Sequence, residues 1–253
     1  MRFYTFGNIS NPKLLLIHGM FTPWQIWNSQ IDFFSLNYYV IVPALDAHDK
    51  EYSEFICIED EAKKIEDYFC YNFKEQSLII CGVSMGGAIA YHISNNHKLK
   101  ITHLVLDSAP LVPLGCLLEK ILTINYLNIL HKSKSRNKKT LDNFKKHFLP
   151  EKYLKDYLVF IDTMSDFSVI NMVKSISKNS FILDNLQDTH ILYIHGSSFN
   201  ELLSKKSAKL IKTHYPNSKI VSFKGSHGHK LIYDSNDWNY IVNNFLKTHS
   251  LFL

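Results

Sequence analysis

Ser77-Leu78-Ile79-Ile80-Cys81-Gly82-Val83-Ser84-Met85-Gly86-Gly87-Ala88-Ile89-Ala90 is the stretch that decides the fold of this 253-residue chain. Ser77 to Val83 is a short apolar run, as expected of a strand buried on both faces. Met85 to Ser94 reads as a helix, opened by small residues that can lie tightly on a sheet. Between strand and helix, Gly82-x-Ser84-x-Gly86 matches the pattern of a serine on a sharp strand-to-helix turn. The warrant is steric. The serine backbone is strained, and neighbouring chain passes so close that only small residues fit two positions to either side. The helix N-terminus also puts positive potential behind any negative charge that develops there.

Working outward, strand and helix alternate. Lys13-Leu14-Leu15-Leu16-Ile17-His18-Gly19 is a second apolar run ending in glycine, and Met1 to Gly7 reads as a strand from the outset. Trp24 to Phe34 can form a short helix, and Tyr38 to Leu45 is the next strand. Glu59 to Phe69 is a helix with an acidic first turn and Ala62, Ile65 and Phe69 on one face. Ile101 to Leu106 supplies another strand. This order predicts an α/β fold: a mostly parallel central sheet with helices on both faces. From Leu111 to Asn185 the pattern is helical only, over 114–130, 141–148, 151–164 and 167–177. Alternation resumes at His190-Ile191-Leu192-Tyr193-Ile194-His195-Gly196, then a helix over 201–214, a strand over 219–223 and a closing helix over 238–248. The expected organisation is therefore a core of residues 1–110 and 186–253 carrying a helical insertion of residues 111–185.

The length suits one large domain, and 46% hydrophobic with 20% charged residues is ordinary for a globular chain. Cys57, Cys70, Cys81 and Cys116 form no C-x-x-C pair, and nothing demands an oxidising compartment. No signal peptide is recognisable at the N-terminus, so a cytoplasmic location is expected. The formal charge is +5, and Lys132, Lys134, Arg136, Lys138 and Lys139 carry all of that excess within eight positions. A nucleic-acid surface needs basic residues spread along a face, so none is expected; the run reads as a solvated loop. Leu111 to Leu130 carries Glu119 and Lys120 near its centre, which argues for an amphipathic helix and against membrane insertion.

The chain resembles the α/β-hydrolase fold family along nearly its whole length. His18-Gly19 ends an early strand about 65 residues before Ser84, where that family carries its HG signature. The resemblance implies that the backbone N–H groups of Met20 and Met85 form an oxyanion hole, with His18 structural. It also implies a late histidine stretch with flanking glycines, after the last strand, bearing the base. Gly225-Ser226-His227-Gly228-His229 looks like it, with His227 the match and His229 the fallback. Two histidines at i, i+2 can also suggest a metal, but no acidic or cysteine partners cluster nearby; neither metal nor cofactor is expected.

The acid of the triad departs from the family pattern. The residues after His195-Gly196 are Ser197-Ser198-Phe199-Asn200-Glu201, with Asn200 near the usual aspartate position. Asn200 cannot hold a charge; Glu201 can, or can simply cap the helix it opens. Asp107, ending the strand Leu104-Val105-Leu106-Asp107, is the rival, since some members of the fold carry their acid there. Both keep the order serine, acid, histidine. A strand end is the more rigid position, which tips the reading towards Asp107.

Serine at position 84 argues against dehalogenase or epoxide-hydrolase chemistry, which needs a carboxylate nucleophile, and points to acyl transfer. The insertion falls where this family folds a helical cap. Leu117, Leu118, Ile121, Leu122, Ile124, Leu127 and Ile129 are more apolar than solvent requires, and packing on the core is the favoured reading over an acyl pocket or lipid contact. Phe21 and Trp24 are candidate substrate-binding residues; Trp24 and Trp27 at i, i+3 equally suit a core-facing helix. The expected activity is hydrolysis of a small to medium or lipid-like carboxylic ester. The alternatives are a peptidase, a thioesterase, a menaquinone-pathway-type lyase, or a non-catalytic ligand-binding protein.

Overall fold

The structure, a computed structural model, describes residues 1–74, 76–179, 186 and 188–248. Seven strands make one sheet: β1 (Arg2–Phe6), β2 (Lys13–Ile17), β3 (Tyr39–Ala44), β4 (Leu78–Val83), β5 (Ile101–Asp107), β6 (His190–Gly196) and β7 (Lys219–Phe223). Their spatial order is β1-β3-β2-β4-β5-β6-β7. Only β1 runs antiparallel, along β3; the other neighbours are parallel. Every residue of β2 and β4 is buried, which explains why, after Lys13 at the start of β2, these strands are apolar and do not alternate.

The helices are α1 (Asn28–Phe34), α2 (Ile58–Asn72), α3 (Met85–Asn95), α4 (Cys116–Lys134), α5 (Lys138–His147), α6 (Leu154–Thr163), α7 (Asp166–Lys178), α8 (Leu202–His214), α9 (His229–Tyr233) and α10 (Ser235–Thr248). In α2, Ile58, Ala62, Ile65 and Phe69 are buried on one face, and Glu59, Asp60 and Glu61 fill the first turn, where they complement the helix dipole. In α3, glycines and alanines let the helix lie against β4, and ten of its eleven residues are buried.

Between β5 and β6 the described residues hold α4 to α7 and no strand, as the sequence predicts. The expected end of the insertion, residues 180–185, lies outside the described residues. The basic run does not form a loop. It spans the end of α4 and the start of α5, with Arg136 in the short turn between them, bonded to both carboxylate oxygens of Asp162. The apolar side chains of α4 divide. Leu122, Leu127 and Ile129 pack against the core, whereas Leu117, Leu118, Ile121 and Ile124 stay exposed, against the expectation that they pack.

Trp27 is fully buried and meets Trp238 edge to face, with ring centroids 5.5 Å apart. The four cysteines are free thiols. No helix among the described residues is long and apolar enough to cross a membrane.

Candidate active site

Parallel strands place their carboxyl ends on one edge of the sheet, and ligands bind beyond that edge. The candidate catalytic residues follow those ends: Ser84 after β4, Asp107 at the end of β5, Glu201 after β6 and His227 after β7. Ser84 follows β4 directly, with φ 55° and ψ −121°, a conformation costly for a residue with a Cβ. Its surroundings fix it. Ser84 N–H donates to Asp107 O at 2.8 Å, and Ser84 O accepts from the N–H groups of Gly87 and Ala88 at 3.0 and 3.1 Å. The flanking glycines are required by close approach. A Cβ on Gly82 would stand 2.3 Å from Gly86 O, and one on Gly86 would stand 2.3 Å from Ile17 O and 2.4 Å from His18 O. The half-buried Ser84 hydroxyl makes no hydrogen bond to another described residue.

The loop after β2 crosses directly over this turn: a Cβ on Gly19 would lie 3.2 Å from Ser84 Cβ. Neither the Met20 nor the Met85 N–H donates to another described residue, so both donors predicted for an oxyanion hole are unspent beside the serine. The two methionine side chains are buried.

Two loops bring the remaining groups together. Ser198 N–H, after β6, donates to Gly225 O, after β7, at 3.1 Å. A short 3₁₀ turn over Phe199–Glu201 then directs the Glu201 carboxylate inward, where it is fully buried. Its Oε1 lies 3.1 Å from His227 Nδ1. Glu201 occupies the N-cap position of α8, yet its side chain caps nothing; its partner is the imidazole. Burial alone would raise its pKa, but the bond and charge of His227, joined by the hydroxyls of Ser204 and Ser108, outweigh that and hold the carboxyl below its ordinary range. His227 is about one-third exposed. Gly228, which follows it, has φ 65° and lies close to Val83 Cγ2, so the histidine loop sits against the end of β4. Ser84 and His227 are not hydrogen-bonded to each other here, which is common for catalytic pairs without substrate.

Asp107 is placed differently. Its Oδ1 accepts from Ser108 Oγ and its Oδ2 from Trp238 Nε1, both at 3.0 Å. Burial pushes its pKa up to about 6, against the opposing pull of Ser108, His227 and Trp238. Asp107, towards which the sequence leans, is not the carboxylate bonded to the imidazole. Its strand end is rigid, as expected, but that rigidity aims the carboxylate at Trp238, and it is Glu201 that bonds the His227 ring.

The remaining candidates separate. Phe21 is buried, has φ 58° and packs against Tyr126 of α4 at 5.3 Å. It lines a cavity of about 560 Å³ between α4 and α5, together with Tyr126, Ile129, Phe144 and the polar Asn125, Asn143 and Lys132. Trp24 does not reach that cavity; it stacks on Tyr4 of β1 at 4.2 Å. His229 stacks on Tyr233 at 4.7 Å. The closest grouping of metal-ligating side chains among the described residues, Asp46, Asp60 and Glu61, already holds the ammonium of Lys64.

Sequence reading missed His48. It is buried, its Nε2 accepts the Phe21 N–H at 3.1 Å, and its Nδ1 faces Asp46 O at 3.0 Å. Its only local signal is Asp46-Ala47-His48 just past a strand end.

No protein-family model matches the chain. Over 112 residues it is 28% identical to epoxide hydrolase 3 of Xenopus tropicalis; the match covers 41% of this chain and 29% of that protein, so the chain spans less than a third of its length. Among solved structures, a carboxylesterase of the thaumarchaeon Nitrososphaera gargenis superposes with a TM-score of 0.78 at 16% identity, over 98% of this chain and 94% of that one. MenH from S. aureus gives 0.74 at 19% identity over 98% of both chains. A thermophilic esterase from Thermogutta terrifontis gives 0.75 at 14% identity, over 98% and 93%. Sheet order, serine turn and these superpositions agree: this chain has the α/β-hydrolase fold.

Proposed function

We propose that the protein is a serine hydrolase that cleaves a carboxylic ester through an acyl-enzyme. The observation that carries this reading is the strained turn at Ser84 together with the buried Glu201 carboxylate bonded to His227 beyond the ends of β6 and β7. His227 takes the proton of the Ser84 hydroxyl as the oxygen attacks the ester carbonyl. Glu201, held as a carboxylate, fixes the ring with Nδ1–H donating and stabilises the imidazolium that forms. The N–H groups of Met20 and Met85 receive the oxyanion. Collapse of the tetrahedral intermediate expels the alcohol, to which His227 returns the proton; water then repeats the sequence on the acyl-enzyme.

Helices α4 to α7 serve as the cap in this account, and the open cavity beside Phe21 offers room for an acyl or alcohol group. A small to medium ester fits its volume. The location is taken as cytoplasmic, with no nucleic-acid partner. The test is hydrolysis of p-nitrophenyl butyrate by the wild type, Ser84→Ala and His227→Ala. The wild type should turn over and both variants should lose several orders of magnitude in kcat/KM. Equal rates in all three would overturn the reading.

A further inference from the structure

An oxyanion donor works only if it is held in place before the charge arrives, so the loop Gly19-Met20-Phe21-Thr22 must be fixed by something. Two sets of bonds do this. The Gly19 carbonyl faces His18 Nδ1 at 2.9 Å and accepts from Thr22 Oγ1 at 2.8 Å. Gly19 C=O and Met20 N–H belong to one planar trans peptide and point in opposite directions. Holding the carbonyl therefore aims the Met20 N–H. The next N–H, that of Phe21, donates to His48 Nε2, and Phe21 takes the left-handed φ of 58° that this geometry imposes.

The two histidines are cross-linked reciprocally. His18 Nε2 accepts the N–H of Leu45 at 3.1 Å, just as His48 accepts that of Phe21, so each ring ties the loop after β2 to the loop after β3. Both rings therefore carry their proton on Nδ1, bonded to a backbone carbonyl. Their centroids lie 5.0 Å apart, and Phe160 of α6 closes over His48 at 5.1 Å. Burial keeps both rings neutral at ordinary pH, with His48 lowered to about 4, so Nε2 of each remains an acceptor.

We propose that Thr22 and His48 are positioning residues that aim the oxyanion-binding N–H of Met20. Neither touches substrate. Thr22 acts through the Gly19 carbonyl and His48 through the Phe21 N–H. The inference rests on the serine-hydrolase reading, because only that reaction puts an oxyanion at Met20.

The test compares Thr22→Val, which keeps the shape and removes the hydroxyl, with Thr22→Ser, which keeps the hydroxyl. His48→Leu is paired with His48→Gln, whose amide oxygen can accept the Phe21 N–H. Each is assayed on p-nitrophenyl butyrate and with a trifluoromethyl ketone, which forms a tetrahedral oxyanion on the serine. Thr22→Val and His48→Leu should lose about 10- to 100-fold in kcat with KM changed less than about threefold, and inhibitor affinity should fall in parallel. Thr22→Ser and His48→Gln should recover most of both. If Thr22→Val keeps wild-type kcat, or if the hydroxyl and amide variants lose as much as the apolar ones, the proposal is overturned. A wild type that neither turns over the ester nor binds the ketone overturns the serine-hydrolase reading instead, and this proposal with it. Wild-type activity with unaffected variants overturns this proposal alone.

Discussion

Glu201 Oε1 and His227 Nδ1 lie 3.1 Å apart, joined across the ends of β6 and β7 by loops that are themselves bonded through Ser198 and Gly225. Asp107, one strand away, is bonded to Trp238 and Ser108. The chain thus holds two buried carboxylates at the site edge, and only one of them bonds the imidazole.

Glu201→Gln should therefore lower kcat by about 10³- to 10⁴-fold, because the amide cannot stabilise an imidazolium and favours the wrong tautomer. Asp107→Asn should cost less than about tenfold, since the amide oxygen still accepts from Trp238 Nε1. Steady-state kinetics on p-nitrophenyl butyrate check both. The reverse order of effects would move the acid to Asp107.

The glycines of the serine turn should be intolerant of alanine. A Cβ on Gly86 would sit 2.3 Å from a backbone oxygen, whereas one on Gly115, at the start of α4, meets nothing within 4 Å. Gly86→Ala should cost at least about 3 kcal/mol, beyond the usual range for overpacking because fixed backbone cannot yield. Gly115→Ala should be within about 0.5 kcal/mol of the wild type. Urea unfolding of the two variants decides.

Ser84 should be replaced more stably by glycine than by alanine. Its φ of 55° with ψ −121° penalises any side chain and not glycine. Ser84→Gly is expected to exceed Ser84→Ala by about 1 kcal/mol, both being inactive. A higher melting temperature for the alanine variant would contradict the strain argument.

Stability should fall on both sides of neutrality, for opposite reasons. His18 and His48 stay unprotonated in the fold, held down by burial, with His48 at about 4. Below the unfolded value near 6.5 the unfolded chain binds protons that the fold refuses, so stability declines as pH falls from about 6.5 towards 4, with a slope of about 1.4 kcal/mol per pH unit per group. Burial raises Glu61 to about 8, so the fold keeps a proton that the unfolded chain releases above about 4.5. Stability declines as pH rises from there towards 8. Glu61→Gln should match the wild type at pH 5 and exceed it at pH 9; His48→Gln should lose less than the wild type between pH 7 and pH 5. Chemical denaturation at these three pH values checks all of this.

What was legible in the sequence follows from the range of the forces involved. The central runs of β2, β4, β5 and β6 are apolar because both faces are covered, and that is written locally. The serine turn was readable because glycine is forced by backbone approach within the motif. His227 is singled out by its flanking glycines after the last strand, and its ring is the one that meets Glu201. Which carboxylate meets the imidazole was not legible, since that depends on a single 3₁₀ turn that swings Glu201 inward and on the distant indole of Trp238 that claims Asp107. His48 escaped notice for a similar reason: its partner is a backbone N–H 27 residues away, and a ring that accepts from backbone leaves no local periodicity. The apolar side of α4 misled because composition does not say which flank of a helix finds a neighbour.

The central claim is that Ser84 is an activated nucleophile, and covalent labelling tests it most directly. Incubation with a fluorophosphonate, followed by intact-mass and peptide mass spectrometry, should show one adduct, on the peptide containing Ser84. The adduct should be lost in Ser84→Ala and slowed by orders of magnitude in His227→Ala. No adduct on the folded wild type, or an adduct on another residue that persists in Ser84→Ala, would contradict the account.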